Sequence, residues 1–189
     1  NINGVLILPG FGSRGSEGKI KIVKYSRENK VPFLGICLGL QCAVIEFARN
    51  VCKMQGANST EFNSKTQYPV IDLMESQRAI KIKGGTMRLG AYECEIKVGT
   101  KAFSAYRTKK ISERHRHRYE VNNRYKKTLE KNGMVFSGIN QELRVVETIE
   151  VKNHPWFVAS QFHPELKSRI NKAHPLFREF IKAAVKNSL

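Results

Sequence analysis

The sequence predicts an α/β fold in which helices flank a central, mostly parallel sheet. Short apolar runs rich in β-branched residues alternate with longer segments whose apolar residues recur at helical spacing, and such alternation is typical of strand–helix–strand units. The chain has 189 residues, of which 41% are hydrophobic, enough for one core that buries roughly 70% of the unfolded surface. No linker or low-complexity segment interrupts the sequence, so we expect one domain over residues 1–189.

Two strand–helix pairs begin the chain. Residues 5–8 form a short apolar run that predicts a buried strand, and residues 17–29 predict a helix that ends before Pro32. Residues 33–36 predict a second buried strand. Residues 40–51 predict a second helix because their apolar side chains share one face.

The remainder of the sequence is less regular. Residues 84–125 predict hairpins or irregular strands, and residues 149–151 and 156–162 predict further strands. Residues 175–186 predict a closing helix. The stretch 76–83 matches no pattern, so we assign no element to it.

The chain is strongly basic. Its 33 Lys and Arg residues against 16 Asp and Glu give a net charge of +17, which is typical of nucleic-acid-binding proteins. The lysines are scattered, however, and few aromatic residues alternate with them as a single-strand stacking surface requires. We therefore expect no nucleic-acid partner, and attribute the charge to a polyanionic small ligand or an acidic partner domain.

Apolar runs and cysteines indicate the compartment. The first apolar run, residues 5–8, is far shorter than the roughly 20 residues of a membrane-spanning helix, so we expect no membrane association. The four cysteines show neither metal-ligand nor disulfide-scaffold spacing (Cys37, Cys42, Cys52, Cys94), which favours the reducing cytoplasm. Because the chain begins at Asn1 without features of a signal peptide, we expect a fragment of a larger protein.

A glycine-rich loop follows the first predicted strand. Gly10, Gly12 and Gly15 match the spacing of the dinucleotide-binding fingerprint. In that fold the second strand ends with an acidic residue for the ribose hydroxyls, whereas this second strand ends at Cys37. We interpret the loop instead as a turn that brings backbone amides close to a ligand.

The segment GICLGLQ has the form of a nucleophile elbow. Cys37 lies between a predicted strand and a predicted helix, with Gly35 and Gly39 two residues away on either side. Such a turn is sharp and strained, and side chains at the flanking positions would collide with it. The helix N-terminus favours negative charge, so we expect a lowered pKa for the Cys37 thiol.

A base and an orienting carboxylate are present in the segment SQFHPEL. His163 and Glu165 are two residues apart, so in an extended segment both project to the same side. Pro164 favours an extended conformation of His163. Glu165 can then hold the imidazole while its other nitrogen faces the thiol.

Together these motifs resemble the class I, or triad, glutamine amidotransferases. Five further stretches are similar to those of CTP synthase glutaminase domains: GFGSRGSEGK, NSTEF, GGTMRLG, ERHRHRYEVNN and HPWFVASQFHPE. The resemblance implies the amidotransferase fold, without its first elements, and hydrolysis of L-glutamine to glutamate and ammonia with no cofactor in this domain. It also implies an amidoligase domain of the same polypeptide, absent here, that uses ATP, UTP and Mg²⁺, with GTP as activator, in a homo-oligomer (a tetramer).

The resemblance also assigns residues. The nucleophile, base and orienting carboxylate fall on Cys37, His163 and Glu165, and the oxyanion donors on the backbone amides of Gly10 and Leu38. The glutamine contacts fall on a larger set: Gly10, Leu38, Gly39, Leu40, Gln41, Glu61 and Arg118.

Within that set, charge suggests the roles. Glu61 suits the α-ammonium group and Arg118 suits the α-carboxylate. Phe11 and Arg14 fall where the family's GTP activator is thought to approach. Pro9 replaces a family glycine and lacks an N–H, but the donor amide belongs to the next residue.

Two alternatives to this function remain open. The chain could be the glutaminase domain of another class I amidotransferase, one that serves GMP or carbamoyl-phosphate synthesis, or a basic binding domain without catalysis. The segment RHRHRYE would place His115 and His117 on one face of a strand and three arginines on the other. We expect no metal there, because the arginines would repel a divalent cation.

Overall fold

The structure, a computed structural model, describes residues 2–73 and 87–188. These residues form ten strands and five α-helices. The strands are β1 Val5–Ile7, β2 Phe33–Ile36, β3 Asn58–Ser59, β4 Pro69–Leu73, β5 Arg88–Ile96, β6 Lys110–His117, β7 Tyr119–Val121, β8 Met134–Asn140, β9 Val145–Val151 and β10 Phe157–Ser160. The helices are α1 Ser16–Glu28, α2 Leu38–Asn50, α3 Lys101–Tyr106, α4 Lys126–Lys131 and α5 Pro175–Ser188.

Seven of these strands form the main sheet, in the order β1-β2-β10-β9-β8-β5-β6. Neighbours are parallel from β1 to β10 and antiparallel from β10 onward. Strands β1, β2, β10, β8 and β6 therefore run in one direction, and β9 and β5 in the other. A smaller sheet has the order β3-β4-β7 and packs beside the main one.

Helices cover both faces of the parallel part of the sheet. Phe33 faces the large core formed with α1 and α2, whereas Leu34 faces a second core formed with α5. This alternation follows from the two-residue period of a strand. Helix α2 is buried from Leu38 to Ala48, and its buried Glu46 is held by Arg27 of α1 at 2.7 Å.

The predicted elements near the elbow are confirmed. The strand predicted over 33–36 is β2, and the helix predicted over 40–51 begins two residues earlier, at Leu38. The hairpin predicted in the middle of the chain is the β5–β6 pair, with α3 between its strands. The stretch 76–83 lies outside the described residues.

Other elements were not predicted. Strand β8 and helix α4 had no assignment, and β9 is longer than the predicted 149–151. Among residues 2–73 and 87–188, no helix has the length and apolar character needed to cross a bilayer.

Candidate active site

Cys37 occupies a sharp turn between β2 and α2. Its backbone has φ 52° and ψ −99°, a sparsely populated region for a residue with a side chain. The amide of Cys37 donates to the carbonyl of Ser160 at 2.7 Å, which anchors the turn to the neighbouring strand β10. The predicted strained conformation is therefore confirmed.

The two flanking glycines allow this turn to pack closely. A Cβ on Gly35 would lie 2.8 Å from the backbone of Gly39, and a Cβ on Gly39 would lie 2.6 Å from the carbonyl oxygen of Ile7. Real Cβ atoms do not approach backbone this closely. The glycines are needed because the elbow packs against itself and against β1.

His163 and Glu165 form a hydrogen-bonded pair. The Nδ1 atom of His163 lies 2.6 Å from a carboxylate oxygen of Glu165, so Nδ1 carries the proton. The backbone amide of His163 donates to the carbonyl of Arg114 at 2.8 Å. The predicted contact is present, but the extended path is wrong, because residues Pro164–Leu166 form a 3₁₀ turn.

Electrostatics at Cys37 differ from the prediction. Burial raises the pKa of the Cys37 thiol to about 12, against the opposing effect of the Leu38 amide, and the carboxylates of Glu120, Glu165 and Glu61 raise it further. The expected lowered pKa is therefore wrong, because desolvation outweighs the helix N-terminus. The resting side chain is a neutral thiol.

Glu165 remains ionised. Burial acts to raise the pKa of its carboxyl, but the hydrogen bond from His163 and the charges of nearby histidines hold that pKa below its usual value. Its side chain is 40% exposed, whereas that of His163 is 8% exposed. An ionised Glu165 keeps the Nδ1 proton in place and leaves Nε2 to accept a proton. Among the described residues, Nε2 of His163 has no hydrogen-bond partner.

A cavity of about 470 Å³ is lined by both Cys37 and His163. Seven predicted site residues line it: Gly10, Phe11, Cys37, Gln41, Glu61, Arg118 and His163. Five others do not: Leu38, Gly39 and Leu40 are buried in the first turn of α2, Glu165 lies behind His163, and Arg14 is exposed on the glycine-rich loop.

Two predicted glutamine ligands also have structural contacts. The amide of Gly12, which has φ 72°, donates to Glu61 at 2.9 Å. The side-chain amide of Gln41 donates to the carbonyl of Tyr119 at 3.3 Å. Glu61 thus ties the glycine-rich loop to the cavity, and Gln41 ties α2 to β7.

Five lining residues were not predicted as ligands: Pro9, Met87, Arg116, His117 and Tyr119. The alternation in RHRHRYE carried a signal for His117, because His115 and His117 do share the buried face of β6 while Arg114 and Arg116 are exposed. Tyr119 contributes a backbone carbonyl, for which a sequence offers no signal. Within the described ranges, no group of three or more His, Cys, Asp or Glu residues could hold a metal ion.

Comparison with known proteins places this geometry in a family. The model of the class-I glutamine amidotransferases matches residues 1–183. Among curated proteins, CTP synthases of Pelodictyon phaeoclathratiforme and Chlorobaculum tepidum are 64% and 61% identical over 183 residues, or 97% of this chain. The chain spans 32% of the length of each.

Solved structures agree with the sequence comparison. The glutaminase domain of Trypanosoma brucei CTPS with bound acivicin has a TM-score of 0.91 and 36% identity, over 97% of this chain and 71% of that one. A glutamine amidotransferase from Thermotoga maritima has a TM-score of 0.53 at 15% identity, over 99% of this chain and 66% of that one, and so shares the fold. The chain belongs to the class-I glutamine amidotransferase family, and it is similar over 97% of its length to these CTP synthases and to the Trypanosoma brucei CTPS glutaminase domain.

Proposed function

We propose that this chain hydrolyses L-glutamine to glutamate and ammonia through a glutamyl thioester on Cys37. The observation that carries the proposal is the convergence of Cys37 and the His163–Glu165 pair on one cavity. The Trypanosoma brucei CTPS glutaminase domain, which shares this fold, was solved with bound acivicin.

The first step is attack by sulfur. Because the thiol is neutral at rest, Nε2 of His163 takes its proton as the Sγ–C bond to the glutamine side-chain carbonyl forms. Glu165 holds Nδ1–H and stabilises the imidazolium. The tetrahedral intermediate then collapses as the imidazolium protonates the leaving nitrogen, which releases ammonia. Water, activated by the same imidazole, hydrolyses the thioester to glutamate.

The charge that develops on the substrate oxygen needs fixed donors. We assign the backbone amides of Gly10 and Leu38 to this role. Gly10 lines the cavity, and the Leu38 amide acts on the Cys37 sulfur in the sense that favours negative charge. Loss of one such donor typically costs ~100- to 1,000-fold in turnover.

The amino-acid end of glutamine meets complementary charges. Glu61 pairs with the α-ammonium group and Arg118 with the α-carboxylate. Gln41 lines the pocket, and Gly39 and Leu40, buried in the first turn of α2, position it. Glu61 is already oriented by the Gly12 amide.

The ammonia serves a second reaction in the larger protein. We propose that it passes to an amidoligase domain of the same polypeptide, which aminates UTP to CTP with ATP and Mg²⁺ in a homo-oligomer. The curated relatives, named CTP synthases and about three times as long as this chain, support this. GTP would approach at Phe11, which is 89% exposed beside the cavity, and at Arg14.

The test is a comparison of two cysteine variants. Cys37→Ala should abolish release of ammonia from glutamine, whereas Cys42→Ala should retain it, because Cys42 is buried in α2 and does not line the cavity. Ammonia and glutamate are measured together, and circular dichroism confirms the fold of both variants. Hydrolysis that survives in Cys37→Ala would refute the proposal.

A further inference from the structure

A buried cluster of charged and polar side chains lies behind the cavity wall. Arg88 of β5 donates to Glu120 of β7 at 2.9 Å and to Glu147 of β9 at 2.8 Å. His115 and His117 of β6 complete it. All five residues are at most 6% exposed. The cluster joins the main sheet to the small sheet, and one of its members, His117, also lines the cavity.

Hydrogen-bond geometry fixes the protons along this cluster. Nδ1 of His117 faces two acceptors, the Tyr119 carbonyl at 3.2 Å and Glu120 at 3.5 Å, so it carries a proton. Nε2 of His117 lies 2.9 Å from Nδ1 of His115, and one proton must lie between these nitrogens. Each neutral imidazole carries one N–H proton, and both protons are now assigned.

The contact between His115 and Glu147 requires one proton more than the two neutral imidazoles supply. Nε2 of His115 lies 3.4 Å from Oε2 of Glu147, and neither atom has a hydrogen-bond partner within the part of the chain that the structure describes. Without a proton, a lone pair would face a carboxylate in a buried site, which is repulsive. A proton between them satisfies both atoms.

The net charge of the cluster independently indicates one extra proton. One guanidinium and two carboxylates, with neutral imidazoles, leave a net charge of −1 away from water, which is costly. One extra proton makes the cluster neutral.

We infer that the cluster holds one extra proton, carried by Glu147 and directed at Nε2 of His115, and that this proton positions the wall of the glutamine pocket. The connection runs from Glu147 through His115 and His117 to the Tyr119 carbonyl, which also accepts from Gln41. Glu147 is thus a positioning residue. The inference concerns the pocket of the proposed glutaminase and rests on that function for its ligand.

The surroundings place the proton on the carboxyl. Burial raises the pKa of Glu147 to about 7 and that of Glu120 to about 8, with Arg88 opposing both. Burial, with the charges of Arg88 and His163, lowers the pKa of His115 to about 2. A proton on Oε2 of Glu120 meets no acceptor among the described residues, whereas one on Oε2 of Glu147 meets His115.

Two further groups from β5 adjoin the cluster, Tyr92 and Cys94. The Tyr92 ring lies 4.4 Å from the Arg88 guanidinium and 5.3 Å from the His115 ring. Burial raises the pKa of the Cys94 thiol well above its usual range, so this group stays neutral. Cys94 therefore supplies no charge that would replace the proton.

The experiment compares two isosteric substitutions. In Glu147→Gln the amide can donate to His115 and still accept from Arg88, so it mimics the protonated carboxyl. In Glu120→Gln the ionised partner of Arg88 is lost. Glu150→Gln is the matched control, because Glu150 is also buried on β9 but accepts from the backbone amides of Lys101 and Ala102.

Infrared spectroscopy detects a protonated carboxyl group whether or not the chain hydrolyses glutamine. At about pH 6 the chain should show the carbonyl band of a protonated carboxylic acid, retained in Glu150→Gln and lost in Glu147→Gln. Loss of the band in Glu120→Gln but not in Glu147→Gln would overturn the assignment, as would its absence from the unmodified chain.

The glutamine dissociation constant tests whether Glu147 positions the pocket wall. In a Cys37→Ala background, the glutamine dissociation constant should rise about five-fold or more between about pH 6 and about pH 9, as the proton is lost. Glu147→Gln should bind as tightly as its parent at about pH 6 and lose this rise, whereas Glu120→Gln should bind weakly throughout. An unchanged rise in Glu147→Gln would refute the role. If no variant bound glutamine, the proposed function would fail, while the infrared result would still decide the proton.

Discussion

The wall of the cavity that carries Cys37 and the wall that carries Arg118 are held in place by different forces. At the elbow, apolar packing and backbone contacts position the thiol, with glycines where a Cβ would lie 2.6 to 2.8 Å from backbone atoms. At the second wall, a buried hydrogen-bonded cluster around Arg88 joins β5, β7 and β9. The first wall is specified by shape, and the second by charge balance.

The difference has a physical reason. In the proposed mechanism the Cys37 thiol must keep one position through the reaction, and close packing against backbone gives few alternatives. The wall with Arg118 would present polar groups to the charged ends of the proposed substrate, and such groups are buried at acceptable cost only when their hydrogen bonds are complete. The two walls should therefore respond differently to substitution.

The largest expected effect is on the chemistry at the elbow. His163→Ala should lower kcat/KM by roughly 10,000-fold or more, because a neutral thiol needs a base. The remaining activity should rise about tenfold per pH unit, since the Cys37 pKa of about 12 lies above the usable range. A pH-independent residual rate near neutrality would instead indicate a preformed thiolate.

Removal of Arg88 should destabilise the buried cluster at the second wall. Arg88→Met leaves two carboxyl groups buried without their cation, so the free energy of unfolding should fall by about 3–5 kcal/mol in urea denaturation. Lys182→Met is the control, since its ion pair with Glu179 at 3.1 Å is largely exposed on Lys182's side and should change stability by at most about 1 kcal/mol. Equal effects of the two substitutions would show that the cluster contributes little.

The substrate wall also predicts a specific loss of binding. Arg118→Ala should raise KM for glutamine by roughly 10- to 150-fold, the value of a charge-assisted bidentate contact, and Arg118→Lys should recover only part of it. Arg114→Ala is the control, since Arg114 is exposed and does not line the cavity. Similar losses in both variants that fade together at high salt would point to general attraction of anions.

The shape of the elbow predicts a smaller effect on stability. Gly39→Ala should lower the free energy of unfolding by about 1–3 kcal/mol, because its Cβ meets the Ile7 carbonyl. Gly18→Ala, on the exposed face of α1 with nothing within 4 Å, should raise it by about 0.5–1 kcal/mol. Thermal unfolding of the two variants decides; a harmless Gly39→Ala would contradict the packing argument.

More of the Cys37 wall than of the second wall could be predicted from the sequence. The strand–cysteine–helix junction is local, and its glycine spacing predicted both the strained turn at Cys37 and the close contact that the glycines allow. The predicted start of α2, at residue 40, was two residues late, because Leu38 and Gly39 already form the first turn of the helix and Gly39 packs against Ile7 of β1. The pKa of Cys37 was wrong because burial is set by tertiary packing.

The cluster behind the second wall could not be predicted in this way. Arg88 is 32 residues from Glu120 and 59 from Glu147, and charged residues at such separations carry no periodic signal. The alternation in RHRHRYE did indicate that His115 and His117 share a face. It did not indicate what they face, which depends on how β9 and β7 pack against β6.

The most direct test of the central claim, that Cys37 is the nucleophile of a glutamine-shaped cavity, is to compare two thiol reagents by mass spectrometry. A small general reagent should label Cys52 first, because that thiol is partly exposed and its pKa is raised only to about 11. A glutamine analogue with an electrophilic carbon should label Cys37 first, since His163 can take the thiol proton there, and free glutamine should protect it. Labelling of Cys52 by both reagents, without protection by glutamine, would contradict the account.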